Sequence, residues 1–421
     1  MTTGNVLPGN GINWEKNLLV IWLSQFLAMV GFGCCMPFIP LLLKDNLKID
    51  DEHIRGLCVS AYYLASMLSL CIATAVWGVL ADRFGRKLML LRASYAAALF
   101  YPLLALAPNF WVLISIRFVC SFFSGTVNPA QTLLVATTPA EKHGTALGLL
   151  STSTTSGNML GYLLGGLIVH YFGYTEAFFT CGIIYLVSAL LVQFLAKDDF
   201  NVKLVKKQRK KTNYKFRELA TPAVLWILLL FLLRGISTRI EQPFLAMQVE
   251  LVHGSNGAAF YTGITSAAAA LGGFFSGLFT GWLCDRYAPR KLLLPILIFS
   301  AIFTAAQALA VNVEMLIAAR FLSYLAAGGL TPILQLMLTK ITRPELRGTY
   351  FGWSGSINTA GGIVCSFISA GIAYFSGVRG IFMAAAIMLA MMIPLLFPTV
   401  RAMNKEYVVD PDSTGKDLKK S

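Results

Sequence analysis

Five charged side chains lie inside long apolar stretches of this 421-residue chain, where an unpaired charge is costly. They are Arg117, Arg234, Arg239, Glu241 and Arg320. Glu241 is the carboxylate that lies deepest within such a stretch. Because burial favours the protonated form of a carboxyl group, Glu241 could load and release a proton near neutral pH. The pattern predicts a proton-coupling site at Glu241; the alternatives are a structural Glu–Arg pair and a position at the wet outer mouth.

The two arginines that precede Glu241 are expected to point in different directions. Arg234 and Glu241 are seven residues apart, about two helical turns, and therefore share one face of a helix. Arg239 is rotated by about 200° from Glu241 and should meet a different neighbour. Pro243 predicts a kink just beyond them. We group Arg234 and Arg239 with Glu241 as the predicted proton-coupling residues.

The elements that carry these charges are predicted to be membrane helices. The chain is 56% hydrophobic and 13% charged, with a mean hydropathy of +0.67, which excludes an ordinary soluble domain. Its apolar stretches are about 20 residues long and do not alternate, as barrel strands would. The prediction is an all-α polytopic membrane protein with twelve spans. Their expected bounds are 17–43, 54–80, 88–107, 110–136, 145–170, 174–196, 222–248, 257–283, 291–311, 314–339, 349–375 and 379–400.

The net charge of +14 is unevenly distributed among the loops. Of the 34 Lys and Arg residues, 26 fall in one alternate set of loops and in the two tails. The other set of loops holds four, which are Lys44, Lys48, Arg55 and Arg379. By the positive-inside rule this asymmetry predicts that both termini are cytoplasmic. The basic charge therefore indicates membrane topology rather than a nucleic-acid partner, and the expected location is the cell (inner, cytoplasmic) membrane.

An internal repeat divides the chain into two similar halves. The charged turn at 78–87 returns at 281–291, with Asp82 and Asp285 203 residues apart. Asn109–Arg117 matches Asn312–Arg320 at the same offset, and Pro40 is aligned with Pro243. Such a repeat predicts two six-helix bundles with a substrate site between them at the bilayer midplane. The predicted divisions are 1–196 for the N-terminal bundle, 197–221 for a basic cytoplasmic linker, 222–402 for the C-terminal bundle and 403–421 for a cytoplasmic tail.

Four motifs resemble those of a known family. Residues 78–87 are similar to the G-x-L-A-D-R-x-G-R-K signature of the major facilitator superfamily, and Arg117 lies where the family has an arginine in its fourth helix. Gly31 followed by 37–40 resembles a first-helix pattern of the twelve-helix drug:proton antiporters, and 157–166 resembles their fifth-helix signature. The N-terminal half is similar to MdtG-type multidrug exporters. Two departures, Tyr162 for Pro and Ser121 for Gly, weaken the inference that transport is outward.

The resemblance also implies a cytoplasmic gate. In the family the aspartate of the first turn meets the start of the eleventh helix, here near 347–349. By the repeat, Asp285 would meet the start of the fifth helix near 144–145. We predict that the two contacts act as latches that hold the cytoplasmic side closed. The predicted gate residues are Gly78, Asp82, Arg83, Gly85, Arg86, Asp285 and Arg286.

The cavity between the bundles is expected to be apolar and aromatic, with scattered polar groups. Its candidate residues are Gln25, Met29, Phe32, Arg117, Asn128, Asn158, Tyr324, Gln335, Trp353 and Asn358. Small residues allow membrane helices to pack closely. Gly157, Gly161, Gly165 and Gly166 are therefore predicted to form a helix-packing face. Its expected partner is the eighth span, with Gly272, Gly273 and Gly277.

The favoured function is secondary active, proton-coupled export of amphipathic drugs or metabolites by alternating access. One alternative is proton-coupled uptake of a small anionic metabolite, and another is a non-transporting membrane sensor or scaffold. No enzyme activity, no cofactor beyond the proton gradient and no metal are predicted, because no Walker loop or metal-ligand spacing stands out. The eight cysteines are interpreted as small buried residues. The expected partners are a small-molecule substrate, protons and lipid, with the protein as a monomer.

Overall fold

A computed structural model describes residues 13–139, 142–198, 221–287, 289–341 and 347–406 of the chain. Within these ranges the chain is helical apart from turns and short connections. Ten stretches are long and apolar enough to cross a membrane. One of them, Ala360–Asn404, holds parts of two helices that meet at Gly377. The helix His143–Tyr171 is not one of the ten, but its 29 residues are long enough for the remaining predicted span. The architecture is therefore the predicted all-α membrane fold with twelve spans.

The N-terminal half supplies the first six spans. The first span is α1 and α2 with a 3₁₀ turn, Met36–Phe38, between them, and the fourth is α5 and α6. The second, third, fifth and sixth spans are α3, α4, α7 and α8. The bounds are α1 Trp14–Cys35, α2 Ile39–Asp45, α3 Glu52–Phe84, α4 Arg86–Ala105, α5 Phe110–Phe123, α6 Val127–Thr137, α7 His143–Tyr171 and α8 Tyr174–Leu195.

The C-terminal half repeats this plan. Its first span, the seventh of the chain, is α9 and α10 with a 3₁₀ turn, Gln242–Phe244, between them. The tenth span is again broken, into α13 and α14. Gly377, with φ 65°, divides α15 into the eleventh and twelfth spans. The bounds are α9 Pro222–Glu241, α10 Leu245–His253, α11 Ala258–Arg286, α12 Pro289–Ala308, α13 Val313–Ala327, α14 Leu330–Ile341 and α15 Arg347–Glu406.

The repeat is visible in helix caps and breaks. Asn109 and Asn312, 203 residues apart, both cap a helix: their side chains accept hydrogen bonds from Val112 N (3.0 Å) and Met315 N (2.8 Å). Asparagine is favoured there because it satisfies a backbone N–H that the helix leaves unpaired. The alignment of Pro40 with Pro243 was wrong. The two 3₁₀ turns start 206 residues apart, at Met36 and Gln242, so that Pro37 is the equivalent of Pro243.

The first charged turn is a single residue long. Helix α3 continues through Asp82 to Phe84, and α4 begins at Arg86. Gly85 alone makes the turn, with φ 95°, in the left-handed region where a glycine has no Cβ penalty. The second copy ends α11 at Arg286 and begins α12 at Pro289, a position where the missing N–H of proline costs nothing.

A polar clasp that the sequence did not predict holds α4 to the end of α8. The backbone N–H groups of Arg86 and Lys87 donate to Asp198 Oδ2 at 3.0 and 2.9 Å. In return, Lys87 Nζ donates to the carbonyl oxygens of Gln193 (2.8 Å) and Ala196 (2.7 Å). A carboxylate at a helix N-terminus and an ammonium at a C-terminus both complement the helix dipole. The clasp therefore ties the chain that leaves the N-terminal half back onto that half.

The glycine face of α7 has a different partner from the one predicted. A Cβ on Gly161 would lie 2.4 Å from Val30 O, and a Cβ on Gly165 would lie 2.6 Å from Cys34 Cα, so this face packs on α1. Residues four apart share a helix face, and Gly157 joins them there, 2.5 Å from Phe26 O. Gly166, rotated away, contacts α11 at Gly263.

The predicted partners on α11 do not take part in this packing. Gly272 packs on α13, where its Cβ would lie 2.4 Å from Phe321 O. Gly273 and Gly277 have open space beside them among the described residues. The fifth span therefore does pack on the eighth, but through Gly166 and Gly263 and not through the glycines that were predicted on the eighth span.

The cysteines of the described chain are free thiols, and most are buried. Cys35 Sγ lies 3.6 Å from Cys181 Sγ, in contact without a bond. Cys71 is exposed, unlike the prediction for the group, and Cys284 lies outside the residues whose side chains are described.

Candidate functional site

A cavity of about 400 Å³ lies between the two halves. This volume is in the range of pockets that hold small organic molecules. Both halves contribute to its wall, and both 3₁₀ turns do so as well. The lining residues include Phe32, Met36, Ser60, Tyr63, Met67, Arg117, Asn158 and Tyr162 from the N-terminal half, and Arg239, Gln242, Phe244, Arg320, Tyr324, Cys365 and Ser369 from the C-terminal half.

Arg117 enters the cavity from α5 and is held by uncharged groups. Its Nε donates to the Ser66 hydroxyl on α3, and its guanidinium lies 5.0 Å from the ring centroid of Tyr62. The side chain is 7% exposed. Among the described residues, no carboxylate forms an ion pair with it. A cation–π contact and hydrogen bonds with uncharged side chains, Tyr101 among them, therefore take the place of an ion pair.

Arg320, the repeat equivalent of Arg117, is paired. Its Nη1 lies 2.9 Å from Glu241 Oε1 and also donates to Gln307 Oε1 at 2.9 Å. Its Nη2 donates to the Tyr324 hydroxyl at 3.2 Å. Arg320 is 2% and Glu241 4% exposed. Burying two charges is tolerated when each compensates the other and hydrogen bonds satisfy the remaining atoms.

The two arginines of α9 point in different directions, as predicted. Arg234 donates to the Thr238 hydroxyl and, at 3.3 Å, to Ala327 O, and it shares a small secondary cavity with Glu241. Arg239 instead reaches across to the other half, where its Nη1 lies 4.0 Å from Met67 Sδ. The structure therefore brings Arg234 and Glu241 together behind the cavity and places Arg239 in its wall.

The predicted cavity residues divide into two groups. Phe32, Arg117, Asn158 and Tyr324 line the cavity. Gln25 and Met29 on α1 are buried in helix packing instead, since Met29 lies beside Gly157. The close approach of α7 to α1 covers this face, which explains why neither residue reaches the cavity.

The remaining candidates lie elsewhere. Asn128 and Gln335 are not part of the cavity wall. Trp353 packs edge-on against Tyr350, with ring centroids 5.4 Å apart. The side chain of Asn358 lies outside the described residues.

Sequence reasoning missed most of the wall, and three of the missed residues are informative. Met67 on α3 meets Arg239, and Gln242 begins the 3₁₀ turn beside Pro243. Tyr162 is the residue that departs from the fifth-helix signature, and its side chain lines the cavity. The departure itself was the available signal, since a phenol in place of a proline adds a polar group to the wall.

One end of the molecule, which we call the closed end, is held shut by contacts between the halves. Glu250 at the end of the seventh span pairs with Lys44 and, at 2.9 Å, with Arg55. The N–H of Val378 donates to Glu52 Oε1 at 3.0 Å, so that a carboxylate of α3 caps the twelfth span. Arg55 is 5% exposed, which shows that these groups are covered rather than superficial.

The predicted gate lies at the opposite end. The side chains of Asp82, Arg83 and Asp285 lie outside the described residues, as does Gly78, and so do the predicted contacts near 144 and 347–349. Three of the predicted gate residues are among the described ones. Gly85 makes the turn and Arg86 begins α4, while the Arg286 guanidinium lies 4.1 Å from the Trp282 ring centroid. The latches themselves stay a prediction.

Two helical halves around a shared central cavity, with charges buried in the spans, define the class of membrane transport proteins. The family model described as Major Facilitator Superfamily matches residues 21–306 and 244–416, and the chain belongs to that family. Among its curated relatives is the "Multi-drug resistance efflux pump PmrA homolog" of Lactococcus lactis, 30% identical over 87% of this chain and 91% of the relative. Another is the "Multidrug resistance protein MdtG" of Klebsiella pneumoniae, 30% identical over 89% of this chain and 91% of the relative.

Solved structures share the fold at low sequence identity. A bacterial homolog of the human lysosomal transporter Spinster, in an inward-facing and occupied conformation, has a TM-score of 0.75 at 16% identity. It covers 93% of this chain, and the chain covers 98% of it. The nucleoside transporter NupG has a TM-score of 0.72 at 14% identity, with 93% of this chain and 99% of that one covered.

Proposed function

We propose that the protein exports amphipathic compounds by alternating access, in exchange for protons. The observation that carries the proposal is the cavity shared by the two halves, with an ion pair, Glu241–Arg320, directly behind its wall. Relatives named as multidrug efflux pumps support the outward direction. We further propose that the protein is a monomer in the cytoplasmic membrane with both termini inside the cell, which the positive-inside rule supports.

In this scheme Glu241 exchanges its ion pair for a proton. While Glu241 is ionised, Arg320 is compensated and the wall is fixed. Protonation of Glu241 would release Arg320, which has Gln307 and Tyr324 to bond with and itself lines the cavity. Proton binding and the charge of the cavity would therefore be linked through one guanidinium. The energy source is a proton gradient.

Alternating access requires that the closed end opens when the gate end closes. The Glu250 contacts join Lys44 and Arg55 of one half to the other half, so that they must break in the alternate conformation. The predicted Asp82 and Asp285 latches would then form at the gate end.

The test is accumulation of a fluorescent amphipathic dye in cells that express the protein. Wild type should lower accumulation, and a protonophore should abolish the difference. Glu241→Gln should lose the effect while its protein level in the membrane is unchanged. Glu314→Gln, which removes an exposed carboxylate from the first turn of α13, is the matched control and should behave as wild type. Proton-driven export by Glu241→Gln would disprove the coupling role.

A second candidate is proton-coupled uptake of a small anionic metabolite, favoured by the arginines in the cavity wall. The same cells distinguish the two directions, because uptake raises the accumulation of an anionic solute when the medium is acidified. The remaining alternative, a non-transporting sensor or scaffold, would give no proton-dependent flux of any compound.

A further inference from the structure

Tyr324 is the residue at which the central cavity meets the small secondary cavity beside Glu241. This secondary cavity, which we call the Glu241 chamber, lies between α9, α12, α13 and α15. Its volume of about 10 Å³ is enough for about one water molecule. Glu241 and Arg234 line the chamber and not the central cavity, whereas Tyr324 alone among the described residues lines both. One phenol therefore separates the Glu241 carboxylate from the central cavity.

Proton coupling at Glu241 requires a route by which a proton reaches its carboxylate. Glu241 is 4% exposed, so that bulk water has almost no direct contact with it. Two other hydroxyl groups of the chamber, those of Thr304 and Ser323, bond to each other at 2.8 Å, and neither residue lines the central cavity. A proton from the central cavity must therefore pass through a group that belongs to its wall and also contacts Glu241.

Two wall residues contact Glu241, and their chemistry differs. Arg320 lines the central cavity, and its Nη1 lies 2.9 Å from Glu241 Oε1. A guanidinium has donors but no acceptor and is not deprotonated in proteins, so that Arg320 cannot pass a proton on. A phenol oxygen, in contrast, both donates and accepts hydrogen bonds. Of the two residues, Tyr324 is therefore the one that can transfer a proton between the cavity and the carboxylate.

The contacts of Tyr324 orient its hydroxyl for this transfer. The hydroxyl accepts a hydrogen bond from Arg320 Nη2 at 3.2 Å and makes a side-chain hydrogen bond with Glu241. Because a carboxylate only accepts, the hydroxyl is the donor in the second bond, and its proton points to Glu241. The charged groups that face Glu241 are Arg234 on α9 and Arg320 on α13, and Tyr162 on α7 lies near Arg320 and Tyr324.

We propose that Tyr324 is the proton relay of the coupling step, and that its hydroxyl passes protons between water in the central cavity and Glu241. In one transfer the Tyr324 oxygen takes a proton from a hydronium ion in the cavity, while its own proton moves to the Glu241 carboxylate. The hydronium ion becomes water, the carboxylate becomes a carboxylic acid, and the phenol is neutral before and after. This proposal rests on the proposed function, because it needs Glu241 as the group that takes up the proton.

The first test follows the proton on the full-length protein in lipid nanodiscs. After a rapid drop in pH, infrared difference spectroscopy records the C=O stretch that a carboxylate gains on protonation, and Glu241→Gln identifies the band by removing it. Tyr324→Phe keeps the ring without the hydroxyl and should slow the appearance of this band by about tenfold or more. Tyr171→Phe removes the hydroxyl of an exposed phenol at the end of α7 and is the matched control. Equal rates in Tyr324→Phe and wild type would overturn the relay.

A second variant separates the relay from a merely structural role. Tyr324→Ala also removes the ring, so that the chamber opens to the central cavity and water can enter beside Glu241 and Arg234. The relay predicts that the Glu241 band appears faster in Tyr324→Ala than in Tyr324→Phe. A structural role predicts the reverse order, because the larger truncation disturbs the packing around the ion pair more. A rate in Tyr324→Ala at or below that of Tyr324→Phe would contradict the proposal.

Transport distinguishes failure of the relay from failure of the proposed function. Proteoliposomes with an imposed pH gradient are loaded with ethidium or with rhodamine. Proton-driven flux of a dye at the same rate in wild type and Tyr324→Phe would support the transporter and overturn the relay. A Glu241 band that is slowed in Tyr324→Phe, without proton-driven flux of either dye in wild type, would support the relay and overturn the proposed function. The absence of any Glu241 band in wild type would overturn both.

Discussion

The two halves of the protein carry the same arginine at the same repeat position, in opposite electrostatic surroundings. Arg117 and Arg320 both follow an asparagine cap by eight residues. Arg320 has Glu241 and Gln307 as partners, while Arg117 has Ser66 and the Tyr62 ring. The 3₁₀ turns that interrupt the first and seventh spans start 206 residues apart, and at this offset Cys35 is the equivalent of Glu241.

This difference explains how a duplicated bundle can have two roles. In the N-terminal half a neutral thiol, Cys35, occupies the position equivalent to Glu241, and Arg117 has no carboxylate partner among the described residues. The C-terminal half keeps the carboxylate and with it a group that can exchange a proton. The two halves therefore differ in what surrounds the repeated arginine: an ion pair in the C-terminal half, and uncharged groups in the described part of the N-terminal half.

The largest expected effect comes from breaking the paired arginine. Arg320→Met leaves the Glu241 carboxylate buried without its cation, and should lower the free energy of unfolding by about 3 kcal/mol or more. Arg117→Met removes hydrogen bonds to uncharged groups and a cation–π contact and strands no carboxylate among the described residues, so that the loss should be about 1–2 kcal/mol. Reversible unfolding of both proteins in mixed micelles measures the difference. Equal losses would mean that the two arginines are not electrostatically distinct.

The next effect concerns the contact between the halves at the closed end. Glu250→Gln leaves Lys44 and Arg55 side by side without a carboxylate. The population open at this end should rise by about tenfold or more, which corresponds to about 1.4 kcal/mol or more. Spin labels at the exposed positions Asn46 and Asn256, with the exposed Cys71 replaced by serine, report the separation of the halves.

The control for this measurement is Glu314→Gln. It removes an exposed carboxylate at the same end without touching the Glu250 contacts. An unchanged distance distribution in Glu250→Gln would show that Glu52 at Val378 and the surrounding apolar packing hold the closed end without the ion pairs.

The fold was predictable because its determinants are local or periodic. Span length follows from the thickness of the hydrocarbon layer, and duplication follows from the 203-residue repeat. The helix caps at Asn109 and Asn312 and the helix break at Pro243 each depend on only a few neighbouring residues. The offset error at Pro40 arose because a single proline carries no register information when Pro37 lies three residues away.

The site was less predictable because a contact between side chains of two different spans leaves no pattern in the sequence of either span. The helical rotation between Arg234 and Arg239 correctly predicted that their side chains have different neighbours. That Arg320 is the partner of Glu241 could not be predicted in this way, because it depends on how α13 packs against α9. The glycine face of α7 was recognised, while its partner was chosen by similarity of composition and not by geometry. Wall residues such as Met67 depend on the approach of the two halves, which no local pattern records.

An effect of comparable size is expected from the glycines that set equivalent helix contacts in each half. Gly161 on α7 approaches α1 so closely that a Cβ would lie 2.4 Å from Val30 O, whereas a Cβ on Gly361 would lie 3.1 Å from Leu232 O of α9. Gly161→Ala should therefore cost about 1–2 kcal/mol of unfolding free energy, and Gly361→Ala about half as much. Gly277→Ala, with open space around it, is the control. A larger cost for Gly361→Ala than for Gly161→Ala would contradict the prediction that the closer helix contact is the less tolerant of a methyl group.

A last pair of variants tests the comparison between the halves most directly. Cys35→Glu places a carboxylate in the N-terminal half at the position equivalent to Glu241, and should give Arg117 a partner of its own. Arg117→Met should then lower the free energy of unfolding by about 1 kcal/mol more in the Cys35→Glu protein than in the Cys35→Gln protein, because it strands the new carboxylate. Cys35→Gln has the same size without the charge and controls for crowding beside Cys181. If Arg117→Met costs the same free energy of unfolding in both proteins, the missing carboxylate is not what distinguishes the two halves.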